Sequence, residues 1–125
     1  MTPDEYLKAS ARTEYTPFFI NGSDEASRLM HAAMGMVTES GEFMDAFKKL
    51  TIYGKVIDKT NLVEEIGDIF WYCALACRTL GVSFEEVFDR NIQKLKIRYP
   101  EKFTSENALN RDLKAEREAL EGADV

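Results

Sequence analysis

Residues 58–80 read DKTNLVEEIGDIFWYCALACRTL, and this stretch decides the fold. Nine consecutive residues, 69–77, carry no charge, which predicts a helix that is buried on nearly every side. Three acids, Glu64, Glu65 and Asp68, precede the uncharged run. Ionised carboxylates at the head of a buried helix are costly unless they are paired or bound to a metal ion. These acids are therefore expected to have partners.

A second acidic pair lies upstream. Glu65 and Asp68 are three residues apart, so they share one helix face, and Glu39 and Glu42 repeat that spacing on a helix predicted over 23–50. Carboxylate oxygens are the ligands that magnesium prefers. The two pairs predict a magnesium site between two helices, and magnesium indicates phosphate chemistry. Taken alone, the upstream pair also fits the solvated face of an ordinary amphipathic helix.

The remaining pattern is helical throughout, with capping residues before each apolar period and no strand signal. It predicts an all-α fold of four to five helices in a single domain, 1–125. The predicted helices cover about 2–12, 23–50, 58–80 and 83–99, with a charged tail helix within 102–125. Residues 13–22 are predicted to form a loop broken at Pro17 and at Asn21-Gly22, with Phe18, Phe19 and Ile20 tucked under a neighbouring element. The predicted core stripes are Met30, Ala33, Val37, Met44 and Phe47 on the second helix, and Phe84, Val87, Phe88, Ile92 and Leu95 on the fourth.

Composition excludes several classes of function. The net charge of -6 argues against a general nucleic-acid-polymer binder, which needs a basic face. The uncharged run is too short to span a membrane, and the polar start MTPDEYLKAS lacks a signal peptide, so a cytoplasmic protein is expected. A single histidine, His31, leaves too few ligands for a zinc site or a di-iron bundle. Cys73 and Cys77 are expected to be small buried residues.

The acidic pairs and their flanks resemble a known family. Glu39-Ser-Gly-Glu42, followed after twenty-two residues by Glu65-Ile-Gly-Asp68, resembles the E-x-x-E…E-x-x-D signature of the MazG-like nucleoside triphosphate pyrophosphohydrolases. The segments HAAMGMVTESGEFMDAFKK, NLVEEIGDIFWY and RYPEKFTSENALNRDLKAERE resemble the short members found in phages and bacteria. The resemblance extends from about Arg12 to Glu116.

This resemblance implies an activity and a site. It implies cleavage of a nucleoside triphosphate to the monophosphate and pyrophosphate, with Mg²⁺ as cofactor and Mn²⁺ as a substitute. It also implies a helical bundle completed by assembly into a homodimer or homotetramer, with the site near a subunit interface. The implied metal ligands are Glu39, Glu42, Glu65 and Asp68, with Glu39 or Glu42 activating water. The implied substrate-binding residues are Asn91, Lys94 and Arg98, to which our mechanistic hypothesis adds Lys55.

Several alternatives stay open at this point. The substrate could be dUTP, dCTP, a damaged nucleotide or an alarmone such as guanosine tetraphosphate. The chain could instead be a helical module that binds nucleotides or a partner protein without catalysis. Glu64 fits either an additional ligand or a residue behind the ligands. Trp71 and Tyr72 fit either base stacking or the core, and aromatic residues on an apolar helix favour the core.

Overall fold

A computed structural model describes residues 1–15 and 18–122. Within them the chain forms six α-helices and no β-strand, so the prediction of an all-α fold is confirmed. The chain divides into two compact units, Met1–Val82 and Ser83–Val125, and the single-domain interpretation stays a prediction. The helices are α1 (Pro3–Ser10), α2 (Asp24–Tyr53), α3 (Lys59–Leu80), α4 (Phe84–Arg98), α5 (Ser105–Leu109) and α6 (Leu113–Glu121), with a 3₁₀ turn at Ala11–Thr13.

The helix boundaries follow from local capping chemistry. Thr2 and Ser83 form capping boxes with the glutamates three residues later, and the hydroxyl of Ser23 accepts a hydrogen bond from the Ala26 amide. Asp58 caps α3, and Gly81 ends it at φ +70°, a left-handed conformation that glycine adopts without strain. The predicted starts of these helices are confirmed. Helix α2 runs three residues beyond the predicted end at Leu50, to Tyr53.

The first unit is built on the pairing of α2 with α3. The short connection 54–58 returns the chain, so the two long helices form an antiparallel hairpin. Small residues of α2 lie at the contact, and the aromatic ring of Tyr72 packs directly over the backbone of Gly35. A Cβ atom placed on Gly35 would lie 2.1 Å from that ring. The absence of a side chain at position 35 therefore sets how closely the helices approach.

The predicted core stripe of α2 is wrong. All five of its residues are exposed, including Val37 at 72% and Met44 at 65%; the others are Met30, Ala33 and Phe47. Helix α2 instead turns its small and acidic residues toward α3. The spacing of apolar residues identifies an apolar face, and it does not identify what covers that face.

The expectation that α3 is buried on nearly every side is also wrong. Ala74, Leu75 and Cys77 are buried and Cys73 is half-buried, but Phe70 is 46% exposed and Ile66 is 43% exposed. Helix α4 shows the same pattern. Of its predicted core residues, Phe84 is buried and Leu95 half-buried, whereas Val87, Phe88 and Ile92 are exposed. These exposed apolar residues exceed what scattered surface residues would provide, and patches of this kind mark interaction surfaces.

The N-terminal segment is bound along α3. Hydrogen bonds join the Tyr6 hydroxyl to the Gly67 carbonyl at 3.2 Å and the Trp71 indole Nε1 to Thr13 Oγ1 at 2.8 Å. Arg78 Nη1 donates to Ser10 Oγ at 2.6 Å, and Arg78 also pairs with Glu14. The N-terminal segment is thus bound to α3 at three successive positions along the helix, Gly67, Trp71 and Arg78.

The loop after this segment differs in part from its prediction. Phe18 and Ile20 are half-buried, as expected. Phe19 is 66% exposed, so its predicted burial is wrong. The predicted break at Pro17 lies outside the described residues, and a tight turn at Asn21-Gly22 is present.

The second unit contains a buried ion-pair cluster. The predicted single tail helix is wrong, because the chain is interrupted at 110–112 and Asp112 caps a separate helix, α6. Glu116 on α6 is 2% exposed. It accepts hydrogen bonds from Arg98 at 2.9 and 3.0 Å and from Arg111. These bonds lower the pKa of Glu116 to about 2.

No helix in the described part of the chain is both long enough and apolar enough to span a membrane. This agrees with the short uncharged run of α3.

We expect Gly35→Ala to destabilise the protein. The new methyl group must displace the Tyr72 ring, at a cost of about 1–3 kcal/mol, against a gain of about 0.5–1 kcal/mol for alanine over glycine in a helix. Gly41→Ala is the matched control, because nothing lies within 4 Å of its added methyl group. It should stabilise by about 0.5–1 kcal/mol. Denaturant unfolding measures both changes, and equal stability of the two variants would contradict the Gly35–Tyr72 contact.

We expect Glu116→Gln to lower the melting temperature in a pH-dependent manner. A carboxylate whose folded pKa is about 2, against 4.5 ordinarily, contributes stability above pH 4.5 that is lost as the pH falls through about 2. The difference between wild type and variant should thus be full at pH 5–7 and shrink toward pH 2. Thermal unfolding followed by circular dichroism measures it. Glu121→Gln, which removes an exposed pair with Arg117, should change little.

Candidate metal centre

Three carboxylates from the facing helices α2 and α3 converge in the first unit. Glu39 comes from α2, and Glu65 and Asp68 come from α3. One oxygen from each lies within 4.8 Å of the other two. Glu39 is four residues after Gly35, and Asp68 is four residues before Tyr72. The antiparallel contact of Gly35 with Tyr72 therefore brings the acids opposite each other one turn away.

The cluster is partly withdrawn from water. Glu65 is 8% exposed, and the Asn61 side-chain amide donates a hydrogen bond to its Oε1 at 3.1 Å. Glu39 is half-buried and Asp68 is exposed. Burial raises the pKa of Glu39, as do a hydrogen bond with Glu65 and the charges of Asp68, Glu65 and Glu42. Like charges this close repel each other, and a proton or a cation between them relieves the repulsion.

The donor set fits a hard divalent cation. All three groups offer carboxylate oxygens, which magnesium and calcium prefer. Magnesium is held by few carboxylates and keeps the rest of its shell for water and phosphate oxygens. Three converging acids, one of them exposed, leave room for such additional ligands. The arrangement can therefore hold a cation that also contacts a phosphate group.

The structure groups three of the four predicted ligands. Glu42 lies one turn after Glu39, is exposed, and is outside the three-oxygen cluster, although its charge acts on Glu39. Its assignment as a ligand stays a prediction. Glu64 is also exposed and outside the cluster.

Sequence reasoning missed Asn61, which holds Glu65. The signal was present, because Asn61 precedes Glu65 by four residues, the spacing at which helical side chains meet.

A polar cavity of about 360 Å³ adjoins the cluster through Asn61. It lies where α2 is connected to α3. Its charged lining residues are Lys49, Lys55, Asp58 and Glu64. Lys49 pairs with Asp45 at 2.8 Å, whereas no ion pair within 4.0 Å is found for Lys55 among the described residues. The amine of Lys55 is therefore available to an anionic ligand.

The other predicted substrate-binding residues lie on α4, in the second unit. Asn91 is exposed and Lys94 is half-buried. Arg98 is half-buried and donates two hydrogen bonds to Glu116. Their role in substrate binding stays a prediction, and for Arg98 these two bonds favour a structural role.

The aromatic residues after Asp68 pack inside the first unit. Trp71 and Tyr72 contact each other edge to face at 5.0 Å, and His31 contacts both rings. Tyr72 covers Gly35, and the Trp71 indole donates to Thr13. These contacts favour the core interpretation of both aromatic residues over base stacking.

Comparison with known proteins places these observations in a family context. A family model described as the MazG nucleotide pyrophosphohydrolase domain matches residues 29–103. The "Gene 37 protein" of Mycobacterium phage L5 is 37% identical over 102 residues, which cover 78% of this chain and 89% of the relative. No solved structure matches. The matched region contains all three clustered acids and Glu42.

We expect Glu39→Gln to stabilise the metal-free protein. A raised carboxyl pKa means that the fold disfavours the ionised form, so wild-type stability falls as the pH rises through that pKa. An uncharged glutamine escapes this penalty and should add about 0.5–2 kcal/mol at neutral pH. The advantage should disappear below pH 4.

The same variant should lose the rise in melting temperature that a divalent cation gives to wild type. Thermal unfolding with and without Mg²⁺ measures both effects. A variant that is less stable than wild type without metal would contradict the proposed repulsion.

Proposed function

The chain belongs to the MazG nucleotide pyrophosphohydrolase family, and from that premise we propose that it cleaves a nucleoside triphosphate to the monophosphate and pyrophosphate with the help of magnesium. The observation that carries the proposal is the convergence of Glu39, Glu65 and Asp68 from two facing helices. The family supports phosphate chemistry, and the converging acids offer a place within the matched region where a cation for that chemistry could bind.

The roles of the acids follow from where they lie. Glu39, Glu65 and Asp68 would hold the ion, and Asn61 keeps Glu65 oriented toward it. When bound, magnesium neutralises phosphate charge and orients the phosphate chain. Glu42, which is exposed, is proposed to be the fourth carboxylate ligand. It is also the acid that is free to hold the attacking water and take its proton.

Positive charge for the phosphate chain is proposed to come from Lys55. Lys55 lines the cavity that adjoins the acid cluster, where its charge would neutralise charge that develops on the leaving pyrophosphate. Asn91 and Lys94 are proposed to contribute from α4, as the family resemblance implies. Arg98 is proposed to support these residues without binding the phosphate chain itself, because it already donates two hydrogen bonds to Glu116.

Self-association is proposed to cover the exposed apolar faces. Val37 and Met44 on α2, and Ile66 and Phe70 on α3, lie on the two helices that carry the acids. An apolar cavity of about 300 Å³ on the same helices, lined by Ser40, Phe43, Ile66 and Ile69, adds to this surface. Burial of these residues against a second copy would place a subunit interface beside the site.

The activity is tested by pyrophosphate release from a panel of ribo-, deoxy- and modified nucleoside triphosphates plus guanosine tetraphosphate, with and without Mg²⁺. Magnesium-dependent release supports the proposal, and the preferred base identifies the substrate. Absence of release from every member, in a folded helical protein, would contradict it.

Glu65→Gln and Asp68→Asn should each reduce turnover more than about 100-fold, since even residues behind metal ligands cost 10–100-fold when removed. Helical content measured by circular dichroism should be unchanged. Glu25→Gln removes the same charge from the exposed first turn of α2 and should retain activity. Full activity of either site variant would remove that residue from the metal site.

A further inference from the structure

The N-terminal helix lies outside the family match but is bound to the metal-site helix. The match begins at residue 29, whereas α1 covers Pro3–Ser10. Hydrogen bonds nevertheless connect the N-terminal segment to Gly67, Trp71 and Arg78 of α3. One of these three connections reaches the acidic motif itself.

Tyr6 contacts the backbone between two of the clustered acids. Its hydroxyl donates to the carbonyl of Gly67 at 3.2 Å, and Gly67 is the third residue of the segment Glu65-Ile-Gly-Asp68. The Gly67 position has no side chain that could hold this turn by packing. The hydroxyl therefore supplies a lateral contact at a point where α3 lacks one of its own.

Tyr6 is also close enough to Asp68 for the Asp68 carboxylate to oppose ionisation of its hydroxyl. Tyr6 is half-buried, and burial raises the pKa of its hydroxyl, with a further rise from the Asp68 carboxylate. Tyr6 thus lies behind the acidic wall of α3, and Glu39 faces that wall from α2.

We propose that Tyr6 is a positioning residue of the metal site, which fixes the turn of α3 that carries Glu65 and Asp68. This inference rests on the proposed function. Metal affinity depends on the orientation of the ligands, and residues behind the ligands supply much of that orientation. Helix α1 therefore helps to orient the metal ligands in this chain, although the family model does not include it.

The hydrogen bond to Gly67 is made by the Tyr6 hydroxyl and not by its ring. Phenylalanine would keep the ring, remove the hydroxyl and so remove the bond to Gly67. The other anchors of the segment, at Trp71 and Arg78, would remain. Tyr6→Phe thus separates positioning of the acids from docking of the helix.

The test compares Tyr6→Phe with Ser10→Ala. Both variants remove one hydrogen bond between α1 and α3, but Ser10 is bound to Arg78, ten residues after Asp68. Mn²⁺ and Mg²⁺ affinities are measured by calorimetry well below the melting temperatures. Tyr6→Phe should bind metal about tenfold more weakly, the lower end of the loss for residues behind ligands. Ser10→Ala should stay within about twofold of wild type. It should lose at least as much melting temperature as Tyr6→Phe, because Ser10 is buried and accepts its bond from the charged Arg78 side chain.

Turnover provides the second measurement. With saturating metal, Tyr6→Phe should recover most of its kcat, while its metal requirement stays raised. Unchanged metal affinity in Tyr6→Phe would overturn the inference and leave the proposed function intact. Equal weakening in both variants would also overturn it, since docking of α1 in general would then be the cause. A wild-type protein that binds neither metal would overturn both proposals.

Discussion

The contact between the Tyr72 ring and the backbone of Gly35 sets the geometry on which the candidate metal centre depends. It fixes both the distance between α2 and α3 and their register, because the ring occupies the space that a side chain at position 35 would fill. One turn from this contact, Glu39 on α2 meets Asp68 and Glu65 on α3. A glycine and a tyrosine, neither of which carries the chemistry, thus decide which carboxylates meet. A shift of one residue along either helix would turn the acids to a different face.

The acid cluster works against the stability of the helices that carry it. Its charges repel, and partial burial of Glu65 removes the water that would otherwise weaken the repulsion. Ion pairs elsewhere in the first unit have the opposite effect. Glu14 accepts hydrogen bonds from Arg28 on α2 and from Arg78 on α3, and so links the N-terminal segment to both long helices. The site is thereby held in place by attractive charge at the far end of the same hairpin.

Local chemistry made the helix starts predictable, whereas the contacts between distant parts of the chain could not be predicted from the sequence. Capping residues and glycines act on their own neighbourhood, so the helix starts at Ser23, Asp58 and Ser83 were readable from sequence. Which face of α2 meets α3 was predicted wrongly, because that helix carries an apolar stripe and a small-residue stripe, and only tertiary packing chooses between them. The spacing of the acids singled out Glu39, Glu65 and Asp68, which the structure brings together, while their role as metal ligands stays a prediction. The hydrogen bond from Tyr6 to Gly67 joins residues 61 positions apart, and no local sequence pattern predicts it.

Trp71 is the single tryptophan of the chain, and its surroundings give the protein a built-in optical reporter. The indole nitrogen is bonded to Thr13 in the N-terminal segment, and the ring contacts His31 and Tyr72. Indole emission responds to hydrogen bonding and to exposure to water. Release of the N-terminal segment from α3 would remove the bond to Thr13 and admit water beside the ring. Intrinsic fluorescence can therefore follow the docking of this segment in the unlabelled protein, from a ring three residues after Asp68 of the acid cluster.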